Sequence, residues 1–161
     1  MIRLFDENDA LEAARIWHRS GLDEYDYLPS FQQLTESKAL DIFLGVIHAS
    51  CEIWIEESTQ GLRGFVALKG SYIDRLYVHP DYQRLGVGTA LLAQAKRLAP
   101  QGLELHTHQQ NQRARSFYEK FGFLAVKFGI SPAPECVPDV EYHWRPAEGA
   151  TFGDQSVLEN S

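Results

Sequence analysis

This chain of 161 residues has only two cysteines, Cys51 and Cys136, and neither has a second cysteine or a nearby histidine at metal-ligand spacing. Two isolated thiols suit a reducing cytosol. Basic residues are also scarce, with Lys+Arg 15 against Asp+Glu 22 and a formal net charge of -7. The footprint of a nucleic-acid binder is therefore missing, and any anion must be held by a local field. No uncharged apolar run is long enough to span a membrane, and the opening MIRLFDEND has no apolar signal core. The expected location is cytoplasmic, with neither nucleic acid nor membrane as partner. Internal repeats and interdomain linkers are absent too. What is present is 44% hydrophobic and 12% aromatic content, enough for one well-buried core and too little chain for two ordinary domains. One domain over 1–145 is expected. From Pro146 onward the sequence has little apolar material and reads as a flexible tail, 146–161.

Taken in order, Ile2 and Leu4 suggest a short strand, and Asp6 to Asp9 offer helix-capping oxygens. Leu11, Ala14, Ile16, Trp17 and Leu22 recur at helical spacing, giving a helix over 8–20 that Gly21 ends. The following EYDYLPS reads as a surface loop in which Tyr25 and Tyr27 either recognise a ligand or pack between helices. A second helix is expected over 31–44, with Leu34, Leu40 and Phe43 on its apolar face. Cys51, Ile53 and Ile55 alternate with Glu52, Trp54 and Glu56 as a half-buried strand, and a TQG turn leads to a partner strand over 62–69. Another strand covers 72–78. Leu91, Leu92, Ala95 and Leu98 then mark one face of a helix that Pro100 and Gly102 terminate. A strand from Leu103, a helix over 112–121 with Gly122 at C′, and strands over 123–128 and 139–144 complete the reading. Strands outnumber helices, and hairpins coexist with a strand–helix–strand unit, so the class is α+β around a mixed sheet.

The chain is organised around Ile73 to Leu92, where a buried strand meets a sharp turn carrying Gly86 and Gly88 and then a helix start. A helix N-terminus leaves amides without intrahelical partners and carries about half a positive charge. Glycines there remove the Cβ atoms that would hold an anion away. The arrangement suits a phosphate. The Walker Lys-Ser/Thr is absent after Gly88, however, and Leu91 occupies the third glycine of the dinucleotide fingerprint.

The longer string from Val78 through Gln83, Arg84, Leu85, Gly86, Val87, Gly88 and Thr89 resembles the Q/R-x-x-G-x-G/A signature of the GNAT superfamily of N-acetyltransferases. Downstream, Asn111, Ala114, Phe117-Tyr118 and Gly122-Phe123 resemble the second signature of that family. The resemblance in element order covers 1–145 and its sharp part about 72–123. It implies a mixed, mostly antiparallel sheet of about six to seven strands flanked by about four helices. It further implies acetyl-CoA as co-substrate, no metal, and transfer of the acetyl group to a primary amine by direct attack in a ternary complex. The pyrophosphate would lie on the amides of Arg84 to Thr89, with Gln83 opening the turn. The backbone of Leu76, Tyr77 and Val78 would pair with the pantetheine arm, and the Leu76 N–H would polarise the thioester carbonyl.

Asn111 reads locally as a helix cap and, by resemblance, also as a contact of the cofactor arm. Tyr118 reads locally as a core aromatic beside Phe117. By resemblance it is the general acid to the departing thiolate, a proton transfer that a phenol can perform. Asp74 shares a strand face with Leu76 and Val78 and is the candidate general base, ahead of Glu104, Glu141, His106 and His108. His106 and His108 alternate on one strand with no third ligand in view, so no metal site is assigned. Arg84, Lys96, Arg97, Arg113 and Arg115 either add positive field or line solvated helix faces. Tyr25 and Tyr27, interleaved with acidic residues, would suit a cationic small-molecule or peptide amine. A homodimer is left open. The rival is a module of the same fold that binds acyl-CoA or another protein without chemistry.

Overall fold

The computed structural model describes residues 1–147, and the chain falls into two compact units, Met1–Leu98 and a second that begins at Ala99. The first unit holds four antiparallel strands in sequence order, β1 (Ile2–Leu4), β2 (Glu52–Ser58), β3 (Gly61–Lys69) and β4 (Tyr72–Val78). Its helices are α1 (Ala10–Glu24), α2 (Pro29–Gln32), α3 (Glu36–Ile42) and α4 (Val87–Leu98). Period-two alternation puts Ile53, Ile55, Phe65, Ala67 and Tyr77 into one core with Ala13, Ala14, Ile16 and Trp17 of α1. Next to it, Glu56 is buried on β2 and pairs with Arg63 of β3, Nε donating at 2.7 Å. Arg3 ties β1 to the start of α1 and to β2, donating to Asp9 at 2.8 and 2.9 Å and to Glu57 at 2.8 and 3.1 Å.

Two expectations for this unit are corrected. Gly21 does not end α1, which continues to Glu24; a Cβ at Gly21 would lie 2.2 Å from Phe31 Cζ, so this glycine provides a close approach rather than a stop. Leu11, expected on the apolar face, is exposed, and Ala13, Ser20 and Gly21 are buried instead. The single helix over 31–44 is split. Pro29 sits in the first turn of α2, where its missing N–H costs nothing, and Thr35 starts α3 afresh by accepting from Lys38 N at 3.2 Å. The helix then winds on as a π-helical stretch, Phe43–His48, which buries Phe43 and Ile47 completely.

The second unit has three antiparallel strands, β5 (Leu103–His108), β6 (Leu124–Ile130) and β7 (Pro138–Trp144), with β7 between the other two, and one helix, α5 (Gln112–Lys120). Asn111 caps α5 by accepting from Ala114 N at 3.1 Å, and Gly122 follows it with φ +91°, the left-handed conformation a C′ residue needs. Tyr142 is fully buried on β7, and its hydroxyl donates to Glu119 at 2.5 Å and accepts from Arg115 at 3.0 Å, which fastens α5 to one face of the strands. Phe123, expected to open β6, is buried just before it. A bulge at Val126 shifts the pairing, and Leu124, Val126, Phe128 and Ile130 are all exposed. The architecture is α+β with seven strands among the described residues, antiparallel within each unit. Most of the expected tail lies outside the described residues. Cys51 is half-buried, and burial pushes its thiol up, whereas Cys136 is exposed.

Candidate functional site

The stretch from β4 into α4 forms as its sequence dictates. Pro80 starts a single 3-10 turn, Pro80–Tyr82, which His79 caps by accepting from Asp81 N on Nδ1 at 3.0 Å. Gln83 to Gly86 then turn the chain, with Arg84 at φ +64° and Gly86 at φ +82°. The first helical bond of α4 runs from Ala90 N to Gly86 O at 3.0 Å, so the amides of Val87, Gly88 and Thr89 have no carbonyl of their own helix to bond. Arg84, Leu85, Gly86 and Thr89 are exposed, and a Cβ on Gly86 would meet nothing within 4 Å. The result is a cluster of backbone donors at the positive end of a helix dipole, a charge suited to phosphate oxygens.

This helix start is seated by a residue that sequence reading passed over. Gly64 on β3 lies under the first turn of α4, and a Cβ there would come within 2.8 Å of Tyr77 O, 3.0 Å of Val87 Cγ1 and 3.1 Å of Leu91 Cδ1. The available signal was a glycine inside an otherwise apolar strand, which marks close approach of another backbone.

On β4, Val78 faces Gly64 as a non-hydrogen-bonded pair, because His79 N donates to Arg63 O at 2.7 Å on the next position. Leu76, opposite Val66, is in the same phase. The N–H and C=O groups of Leu76 and Val78 therefore point away from β3, while those of Tyr77 point toward it. Ser20, buried on α1, donates to Val78 O at 2.8 Å.

The pairing of β4 with β3 shifts by one residue at Asp74, between Ile73 and Arg75, so alternation does not carry Asp74 onto the face of Leu76 and Val78 as expected; its carboxylate lies 3.5 Å from Lys69 Nζ and 3.6 Å from Arg75 Nη1. The Arg75 guanidinium stacks at 5.6 Å over the Trp17 ring, and its Nε is buried without a hydrogen-bond partner. Tyr25 turns inward: its hydroxyl is 2.9 Å from that of Tyr77, and burial pushes its ionisation well above the ordinary tyrosine value. Its ring packs on Phe31 at 5.5 Å and on half-buried Tyr27 at 6.2 Å.

In the second unit, Asn111 and Tyr118 are both buried, at the start of α5 and in its last turn. Tyr118 packs edge-on between Phe117, at 5.2 Å, and Phe123, at 5.3 Å. Arg115 is occupied by Tyr142 and by Gln109 O at 3.3 Å, so it belongs to the fold of this unit rather than to a free basic face. Lys96 of α4 loses proton affinity to burial. Histidines expected to stand as an isolated pair have company: Glu141 and His143 of β7 lie across from His106 and Glu104.

The family model described as Acetyltransferase (GNAT) family matches residues 12–123. The peptidyl-lysine N-acetyltransferase YjaB of Salmonella typhimurium is 32% identical over 109 residues, spanning 67% of this chain and 72% of that protein. The solution structure of apo-form YjaB from Escherichia coli superposes with TM-score 0.75 at 24% identity, covering 89% of this chain and 96% of that one. A Bacillus anthracis protein described as a streptothricin acetyltransferase, in complex with acetyl coenzyme A, matches with TM-score 0.57 at 28% identity, over 63% of this chain and 68% of its own. The matched stretch runs from α1 to the end of the second motif and includes the turn, both glycines, Asn111 and Tyr118. The chain belongs to the GNAT family of acetyltransferases.

Proposed function

We propose that this protein transfers the acetyl group of acetyl-CoA to a primary amine, and that residues 1–145 work as a single acetyltransferase domain. The observation that carries the reading is the set of amides at the start of α4, opened by Gly86 at φ +82° and seated over Gly64. A chain of net charge -7 can hold a polyanion there because the attraction is local. The bound coenzyme supplies the activated acyl group. The amides of Arg84 to Thr89 hold its pyrophosphate, with Gln83 opening the turn, and Asn111 holds its arm.

Leu76 and Val78 direct their backbone away from β3, so they offer the arm a strand-like edge. Their phase gives the Leu76 N–H the orientation needed to donate to the thioester carbonyl as the carbon becomes tetrahedral. As the amine nitrogen bonds to that carbon and the C–S bond breaks, the Tyr118 hydroxyl protonates the departing sulfur. Asp74 takes the proton from the amine. Its carboxylate is held in place by Lys69 and Arg75. Tyr27 and the acidic residues around it attract a cationic acceptor, while Tyr25 fixes the loop that carries them. The acceptor is a lysine side chain of a peptide, a choice supported by the name and similarity of YjaB. The protein works in the cytoplasm; no described helix is long and apolar enough to cross a membrane, and both cysteines are free.

The test is calorimetric binding of acetyl-CoA followed by thiol release with lysine peptides, neutral amines and polyamines. Binding with release on lysine peptides is expected. Binding without release on any acceptor would favour a sensing module, and preference for neutral amines would overturn the acceptor.

A further inference from the structure

Four ionisable side chains form a closed group on one face of the β5–β7 ladder. The register sets Glu104 opposite His143 and His106 opposite Glu141, two corners from each strand. Directly opposed Cβ atoms lie about 4.5–5.5 Å apart and next-but-one residues of a strand about 7 Å, within reach of imidazole and carboxylate side chains. Here the side chains converge. His143 Nε2 is 3.1 Å from Glu104 Oε1 and 2.5 Å from Glu141 Oε2, and His106 Nε2 is 3.4 Å from Glu141 Oε1. One ligand atom from each of Glu104, Glu141 and His143 lies within 4.8 Å of the others. Four donors held tetrahedrally at about 2.0–2.2 Å from one ion are themselves about 3.3–3.6 Å apart. The contacts of Glu104 with His143 and of Glu141 with His106 lie close to that value, while that of Glu141 with His143 is shorter.

Proton supply points the same way. Carboxylates only accept, and His143 has a single Nε2–H for two carboxylate oxygens that both approach it. The His106 contact at 3.4 Å is at the long end for a hydrogen bond. Other positive charge is peripheral: Arg145 Nη2 lies 3.5 Å from Glu104 Oε2, and Lys127 acts on Glu141 only through its field. Two carboxylates thus share the one Nε2 of His143. His108 and Asp139 continue the same face, but His108 Nε2 is 3.1 Å from Glu135 and so is directed elsewhere. Helix α5 is fastened to Tyr142, which points to the opposite face, and the four side chains stay 25–42% exposed, open to an ion from solvent.

We propose that Glu104, Glu141 and His143 form a binding site for a zinc-class dication, supplying one imidazole nitrogen and two carboxylate oxygens, with His106 beside Glu141 as the fourth donor. Mixed nitrogen and oxygen donors favour such an ion over calcium or magnesium, which take oxygen almost throughout. The site does not rest on the acetyl-transfer reading, and its failure leaves that reading untouched.

The experiment uses the untagged full chain stripped with a chelator, then titrated with Zn2+ against a chromophoric competitor. One zinc per chain is expected. His143→Gln should weaken binding by 100-fold or more, and His106→Gln and Glu141→Gln by at least tenfold, while His48→Gln, a remote histidine, changes nothing. Because a variant can lose binding by misfolding, far-UV circular dichroism accompanies each. Wild type loaded with Co2+ should give the intense visible bands of a tetrahedral site. Equal zinc binding by the His106→Gln/His143→Gln double variant, or no stoichiometric zinc on the wild type, would overturn the site and leave a surface ion-pair ladder.

Discussion

Gly64→Ala is the smallest change that separates the helix start of α4 from the sheet beneath it. The added methyl carbon would be 2.8 Å from Tyr77 O, 3.0 Å from Val87 Cγ1 and 3.1 Å from Leu91 Cδ1. Carbon contacts are most favourable at about 3.5–4.0 Å. One of the three neighbours is backbone of strand β4, and the other two are core side chains of α4, so no flexible surface atom can give way. Inserting a carbon into a filled site of this kind costs about 1–3 kcal/mol. Ala regains about 0.5–1 kcal/mol over Gly in a strand interior through the unfolded chain. The net loss is then at most about 2.5 kcal/mol, and at about 2–4 °C per kcal/mol for a chain of this size Tm falls by up to about 10 °C. Urea melts followed by circular dichroism should show a lower midpoint with an unchanged slope. Calorimetry should show weaker acetyl-CoA binding, because the amides that hold its phosphates move with Val87. A variant as stable as wild type with undiminished affinity would refute the seating of α4 on Gly64.

Tyr118→Phe keeps the aromatic packing against Phe117 and Phe123, so acetyl-CoA affinity and Tm should hold while kcat falls by about 10²-fold or more, as for loss of a general acid; an unchanged kcat would return Tyr118 to the core alone. Gly86→Val meets no neighbour, so its cost is the left-handed backbone alone, about 1–2 kcal/mol, and the larger effect should appear as at least tenfold weaker acetyl-CoA binding by calorimetry. Arg3 hydrogen bonds hold the Asp9 and Glu57 carboxyls below their ordinary values. The stability they add is present above an unfolded carboxyl pKa of about 4 and is lost as pH falls through the folded values. Arg3→Met should therefore be less stable than wild type at pH 7, with the gap closing on acidification in pH-dependent melts; a gap constant from pH 7 to 3 would contradict the assignment.

The parts of this fold that local chemistry determines were legible in the sequence. The alternation around Ile53 and Ile55, the Asn111 cap and the glycine after α5 each carry their own signal within a few residues, and β2 to β4, α4 and α5 form where those signals lie. The misreadings share a different cause. Gly21 looks like a helix stop until Phe31, ten residues on, is seen to fill the space beside it. Leu34 looks helical by spacing, yet Thr35 restarts the chain and hands the core to Phe43 and Ile47. The turn was legible as an anion site because glycine and helix start are adjacent in the chain. Gly64 beneath it, Ser20 on the Val78 carbonyl, and Glu141 and His143 beside His106 depend on which strand pairs with which, and no local pattern encodes that register.

Tyr77 joins two otherwise separate structures. Its carbonyl lies over Gly64, where the turn into α4 is seated, and its hydroxyl meets Tyr25, which anchors the loop after α1. Apart from this residue the two draw on different neighbours: Val87 and Leu91 for the turn, Phe31 and Trp17 for the loop. Such a division makes for evolvability. Descendants of this chain can rewrite Asp23, Asp26 or Tyr27 and change what the loop meets without loosening the helix start, whereas a change at Tyr77 would be felt at both. In a mutational library, variation at the loop should be tolerated independently of the turn, and Tyr77 should be the position where the two stop being inherited separately.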